Sequence, residues 1–181
     1  NTSIYNPRAE YKRYDGIHVE LAFVTRLQSQ MPAKRLETRK APARIMLETG
    51  KMVGLYGEGW DEDLEFQPYY KGTVAPGPDL FSLYKSADLH VHSNEDTNWH
   101  MRVLECISSG GRIACFEPTS ERRSAPYPYA HTFRTSRELS SILDAIQESR
   151  RNETHVMLSK AQSDWIGALH GYDTRAAKIL E

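Results

Sequence analysis

The residues best suited to chemistry fall where short apolar runs give way to polar, helix-compatible ones. One such segment is His92-Ser93-Asn94-Glu95-Asp96-Thr97-Asn98-Trp99-His100-Met101-Arg102-Val103-Leu104-Glu105. A strand-like run ends there and a helix begins. The free N–H groups of a helix's first turn, at its positive dipole end, suit an anion such as a diphosphate. Arg102 in that turn adds a charged fork. Glu105 lies one turn further in, beside Leu104 and Cys106. A carboxylate on a largely apolar helix is costly to bury without donors. Ligand hydroxyls such as those of a ribose supply them; a Glu105 that faces solvent or pairs with Arg102 is the alternative. The second group is Phe23-Val24-Thr25-Arg26 followed by Lys34-Arg35. These cations at a strand end and the next helix start suit phosphate oxygens. Otherwise they open a solvated basic face that continues through Arg39, Lys40 and Arg44.

Tyr56-Gly57-Glu58-Gly59-Trp60 places two glycines around one residue at a strand end, which allows close backbone approach or a positive φ. It lacks the third glycine of the dinucleotide fingerprint, so a nicotinamide site is not expected. Asp88-Leu89-His90-Val91-His92-Ser93 resembles the opening motif of PHP metal-dependent phosphoesterases, since a period of two sets His90 and His92 on one face. Too little chain follows His92 for the roughly 200 or more residues of a barrel. The later histidines, His100, His131, His155 and His170, have no clustered carboxylates. Cys106, within a helix, and Cys115, within a core strand, read as small buried hydrophobes. Trp165 with Leu158, Ala161 and Leu169 has helical spacing and reads as core.

The elements that must carry these residues alternate. Residues 1–17 are polar, hold Tyr5, Tyr11 and Tyr14 without periodicity, and read as an arm or interdomain linker. A strand is expected from His18 to Val24, a helix from Met31 to Thr49 with Gly50 at C′, and a strand from Met52 to Tyr56. Residues 61–69 are a loop, and Gly72-Thr73-Val74 is a weaker strand. Asp79 is placed to cap a helix bearing Leu80, Leu83 and Tyr84. Ala87–His92 is a strand, Asn98–Ser109 a helix, Ser108–Gly111 a tight turn and Arg112–Phe116 a strand. Residues 117–130 hold three prolines and form a loop before a short edge strand, His131–Arg134. Thr135-Ser136-Arg137-Glu138 is a capping box opening a helix with Leu139, Ile142, Leu143 and Ile146 inside. Further helices are expected over Glu153–His170 and Tyr172–Leu180. This alternation of short apolar strands with helices predicts an α/β fold: a Rossmann-like open, mostly parallel sheet with helices on both faces, over residues 18–181. Such sheets bind ligands at the carboxyl ends of their strands, at a topological switch point. The loops after residues 24, 56, 74, 92 and 116 are therefore the ones to inspect.

Composition agrees with that picture. The 181 residues are 39% hydrophobic and 26% charged, ordinary globular values. Lys+Arg 23 against Asp+Glu 24 leaves a formal charge of -1, without the basic excess of a duplex nucleic-acid binder. No apolar run approaches the roughly 20 residues of a membrane helix. Two cysteines make no disulfide framework, and a reduced, cytoplasmic setting is expected. The opening Asn1-Thr2-Ser3-Ile4-Tyr5 has no signal-peptide pattern and no initiator Met, as in a segment cut from a longer chain.

Taken in order, several of these motifs match a known arrangement. They are Phe23-Val24-Thr25-Arg26, Leu55-Tyr56-Gly57-Glu58-Gly59-Trp60, Tyr70-Lys71-Gly72-Thr73-Val74 and Leu83-Tyr84-Lys85-Ser86-Ala87-Asp88, then Met101-Arg102-Val103-Leu104-Glu105-Cys106-Ile107-Ser108-Ser109-Gly110-Gly111. Together they resemble the C-terminal, donor-binding half of GT-B glycosyltransferases of group 1, the CgeB-like proteins in particular. His170-Gly171-Tyr172-Asp173-Thr174-Arg175-Ala176 looks like that family's closing helices. The resemblance implies a nucleotide-sugar-binding domain with no cofactor beyond the donor. In it Glu105 holds the ribose, and the helix start at His100, Met101 and Arg102 approaches the diphosphate or sugar. Arg26 and Lys34 neutralise phosphates, and the Tyr56-Gly57 loop lies beside the base. Trp99-His100 stand where small residues are common, and Glu95 and Asp96 are offset from the family's upstream acid. The acceptor site, and often a base, would come from an N-terminal domain. Two other readings stand beside it: a non-catalytic interaction module that kept the fold, and the PHP-like phosphoesterase.

Overall fold

The computed structural model describes residues 18–27, 30–93, 101–117 and 129–151, with Ala161, Gln162, Asp164, Trp165 and Ala168. Five strands form one sheet: β1 (Leu21–Val24), β2 (Val53–Tyr56), β3 (Leu89–Ser93), β4 (Ile113–Phe116) and β5 (Ala130–Phe133). Their order is β2-β1-β3-β4-β5 and every pairing is parallel, for example Leu21↔Val53 and Leu21↔Leu89 on the two sides of β1. The interior strands are covered on both faces, so Leu21-Ala22-Phe23-Val24 and Ile113-Ala114-Cys115-Phe116 are continuous apolar runs.

Helix α1 (Ala33–Glu48) and helix α4 (Ser136–Arg151) cover one face, where Ala43, Met46, Leu139, Leu143 and Ile146 meet Leu21, Phe23, Leu89 and Val91. Helix α2 (Pro78–Ser86) and helix α3 (Met101–Ser108) cover the other, with Leu80, Tyr84, Val103 and Ile107 against Ile113 and Cys115. The capping box opens α4: Thr135 Oγ1 accepts from Glu138 N at 3.2 Å, and a Glu138 carboxylate oxygen accepts from Thr135 N at 3.3 Å. Gly50, at φ +68, closes α1 as expected. That helix runs through Pro42, whose ring is buried beside Ala43, and no side chain caps its start.

Two local expectations are corrected. Gly72-Thr73-Val74 forms no strand. The only pairing there is the bridge Leu55↔Tyr70, after which Gly72 O turns to accept from Gly57 N at 3.0 Å and the chain leaves the sheet. Asp79 does not cap α2. Pro78 takes the first position after Gly77, because proline's fixed φ suits a helix start, and Asp79 sits inside the first turn.

At the amino ends of the strands, side chains tie the layers together. Buried Asp88 accepts from Gln147 Nε2 at 3.0 Å and from Arg150, and it pairs with His18 at 3.3 Å. Arg112, also buried, donates to Gln162 at 2.5 Å, and partly buried Trp165 stands edge-on to Tyr129 at 5.8 Å. Most of the two helices expected over 153–180 lies outside the described residues, as does the 1–17 arm. Among the described residues no helix is long and apolar enough to cross a membrane.

Candidate functional site

The carboxyl ends of β1 and β3 are neighbours, but their connections leave on opposite sides of the sheet. The chain after β1 goes to α1, and α3 follows β3 on the other face. This divergence opens a cleft at the point where the strand order reverses. The cleft has a volume of about 410 Å³. Its floor is Phe23, Val24 and Thr25 with His92 and Ser93. Strand alternation puts Phe23 and Ser93 on the α1 face and Val24 and His92 on the α3 face. Arg35 and Arg39 reach it from α1, Met101 and Arg102 from the first turn of α3, and Arg26 from the β1 exit.

The β1 exit is held by the Gly57-Glu58-Gly59-Trp60 loop. Thr25 N donates to Tyr56 O at 2.9 Å and Leu27 N to Glu58 O at 2.8 Å, extending the ladder past both strands. Gly57 and Gly59 have φ of +117° and +88°. A Cβ on Gly57 would stand 2.2 Å from Thr25 O, and one on Gly59 1.7 Å from Leu27 O. The close approach expected of these glycines is therefore made to the neighbouring backbone. Trp60 is fully buried against Phe66 at 5.1 Å and Phe23 at 5.8 Å, and its Nε1–H donates to Thr25 O at 2.9 Å.

Cationic charge collects at this end of α1. Further along the helix, Lys40 pairs with Asp63 at 2.5 Å, and Arg44 pairs with Glu37 at 2.7 Å and Glu65 at 2.8 Å. Among the described residues the cleft lining contains four arginines and no carboxylate. Arg102 Nη1 donates to Val24 O, and Arg39 Nη1 donates to Arg26 O at 2.6 Å, so these two brace the floor. The Arg26 guanidinium leans on Glu58 at 3.5 Å, and both side chains are exposed, with Glu58 outside the lining.

Arg26, Met101 and Arg102 thus come together as the sequence indicates. Lys34 does not join them: it is exposed on α1, and Arg35 and Arg39 face the cleft instead. In the sequence Arg39 reads as part of a solvated basic face; the signal for its cleft position is its spacing of four from Arg35, one helical turn on the same side. Tyr56 is outside the cleft, 2% exposed and packed with Val19, Ala22, Leu83 and Ala87, so only the backbone of its loop borders the β1 exit. Glu105 lies one turn beyond Met101, half-buried and off the cleft lining. Burial pushes its carboxyl above the usual range, with Arg102 pulling the other way. His100 lies outside the described residues.

The histidine motif is divided. His92 lines the cleft, but His90 is buried, with Nε2 3.2 Å from Leu83 O and its ring edge-on to Tyr84 at 5.0 Å. Burial pushes the His90 imidazole down to about 4. Among the described residues no three His, Cys, Asp or Glu side chains gather as a metal site. Cys106 and Cys115 are free and buried, and burial raises both thiols, Cys115 to about 12.

No family model matches the sequence, and no curated protein is significantly similar to it. Solved structures do share the fold. The C-terminal domain of a group 1 family glycosyl transferase (LpcC) from Francisella tularensis aligns with 93% of this chain and 96% of its own length, at 13% identity and a TM-score of 0.56. The catalytic domain of the cholesterol-alpha-glucosyltransferase from Helicobacter pylori aligns with 82% of this chain and 99% of its own length, at 23% identity and a TM-score of 0.52. The glycotransferase of kitacinnamycin aligns with 96% of this chain at 14% identity and a TM-score of 0.51, and this chain spans 45% of that protein's length. A five-stranded parallel sheet in the order β2-β1-β3-β4-β5, with helices on both faces, gives this chain the Rossmann-like fold of the C-terminal domains of GT-B group 1 glycosyltransferases.

Proposed function

We propose that this chain is the nucleotide-sugar-binding half of a GT-B glycosyltransferase, completed by an N-terminal acceptor-binding domain on the same parent chain or a partner. The observation that carries this reading is the arginine-lined cleft at the β1/β3 switch point. Glycosyl transfer breaks the bond between the sugar's anomeric carbon and the diphosphate oxygen, and charge builds on the departing diphosphate. Fixed cations at that oxygen lower the barrier. Arg26, Arg35, Arg39 and Arg102 supply them, and the positive dipole end of α3 adds partial positive charge. Glu105 is assigned to the ribose hydroxyls, whose donors offset the cost of its burial. The reading needs no resident cofactor, and two free buried cysteines suit a cytoplasmic setting.

The test is a thermal-shift series with UDP, GDP, ADP and dTDP and their sugars. A ligand at a hundred times its Kd stabilises the folded state by about 2.7 kcal/mol. For a chain of this length that raises Tm by roughly 5–11 °C, and Glu105→Ala should abolish the shift for nucleotides. If every nucleotide leaves Tm unchanged, the reading is wrong.

A further inference from the structure

Ser93 ends β3 on the α1 face of the sheet, in register with Phe116 of β4, and lines the cleft between the arginines of α1 and those of the β1 exit and α3. It is 6% exposed, and its Oγ is buried without a hydrogen-bond partner among the described residues. A hydroxyl left in that condition destabilises the fold, and alanine at the same place would not. Unpaired buried polar groups are scarce in folded proteins and call for a reason. Here the reason is the neighbourhood: among the described residues the hydroxyl shares its cleft with four guanidinium groups.

We propose that Ser93 Oγ is a ligand-binding donor of this cleft, hydrogen-bonded to an oxygen of the bound diphosphate; the inference rests on the nucleotide-sugar reading above. The arginines bring charge on long, flexible side chains, whereas Ser93 brings a short donor fixed to a central strand. The O–H donates to the anionic oxygen and no proton changes hands. The hydroxyl is closed to water in the unliganded chain, so its engagement requires movement of cleft side chains, the four arginines among them. Ser93 therefore fixes how deep the anion sits, and the arginines close around it.

The experiment is calorimetric titration of the 181-residue chain with inorganic pyrophosphate and with UDP, comparing wild type with Ser93→Ala, together with the Tm of each ligand-free protein. A hydrogen bond to a charged group is strong enough that its loss weakens affinity by about tenfold or more. The ligand-free Ser93→Ala protein should melt at or above the wild-type temperature, because the variant removes a group with no partner. Equal affinity in the two proteins overturns the Ser93 contact and leaves the cleft reading intact. A ligand-free variant that melts several degrees lower overturns it as well, since the hydroxyl would then have a structural partner. Absence of any wild-type binding sinks the parent reading and this inference with it.

Discussion

Gly57→Ala tests how the cleft is built. Gly57 has φ +117, a region that side-chain-bearing residues avoid, and an added Cβ would stand 2.2 Å from Thr25 O and 2.9 Å from Thr25 C. The backbone strain alone costs on the order of 1–3 kcal/mol. The contact is with backbone and cannot be relieved by a rotamer change, so the β1 exit must move away. That movement breaks or stretches the bonds from Thr25 N to Tyr56 O and from Trp60 Nε1 to Thr25 O, both 2.9 Å. At about 1 kcal/mol each, the total comes to roughly 3–5 kcal/mol, or about 6–20 °C in Tm for a chain of this size. Gly77 is the control: its φ is +100, yet a Cβ there meets nothing within 4 Å. Gly77→Ala carries strain without the clash, so the difference between the variants isolates the contact with Thr25. The displaced segment carries Arg26, so Gly57→Ala should also weaken pyrophosphate binding severalfold, with Gly77→Ala leaving it intact. Urea unfolding gives the stabilities and calorimetry the affinities. Equal stability losses in the two variants would refute the proposed backbone contact, and unchanged binding in Gly57→Ala would refute its link to the cleft.

Two further outcomes follow from the electrostatics. Glu58 competes with an incoming anion for Arg26, so Glu58→Gln should tighten pyrophosphate binding by up to about fivefold at low salt, the scale of an exposed ion pair. Molar salt should erase the gain by screening, and weaker binding in the variant would show that Glu58 does not compete. His90 is held at about 4 against an ordinary 6.5, so between those values the unfolded chain takes up a proton that the folded chain refuses. His90 thus costs nothing above the upper value, and stability is lost as pH falls towards the lower one, by up to about 3 kcal/mol. Urea midpoints from pH 7 to 4 should show a shallower fall in His90→Gln, and parallel curves would contradict the buried neutral imidazole.

Much of the fold was legible because its signals are local. The apolar runs at 21–24 and 113–116 are what a strand covered on both faces must be, and Thr135 with Glu138 caps α4 at the spacing that predicts it. The site was legible where position in the element suffices. Arg26 follows a strand end and Arg102 sits in a first helical turn, and a parallel sheet brings such positions together. Lys34 against Arg35 and Arg39 was not legible. One residue turns a helix by about 100°, and α1's rotation is fixed by Ala43 and Met46 packing on the sheet.

The sequence alone located β1 to β5 and α1 to α4, though it added a strand at 72–74 that does not form, and showed that cations follow strand ends and open helices, because hydrophobic period and capping act over a few residues. Tertiary structure decided the rest. It buried Tyr56 under α2, turned the Gly57–Gly59 loop onto the β1 exit, and left the Ser93 hydroxyl unpaired beside the arginines. Each of these depends on which elements become neighbours, and contacts between distant segments leave no mark in local spacing.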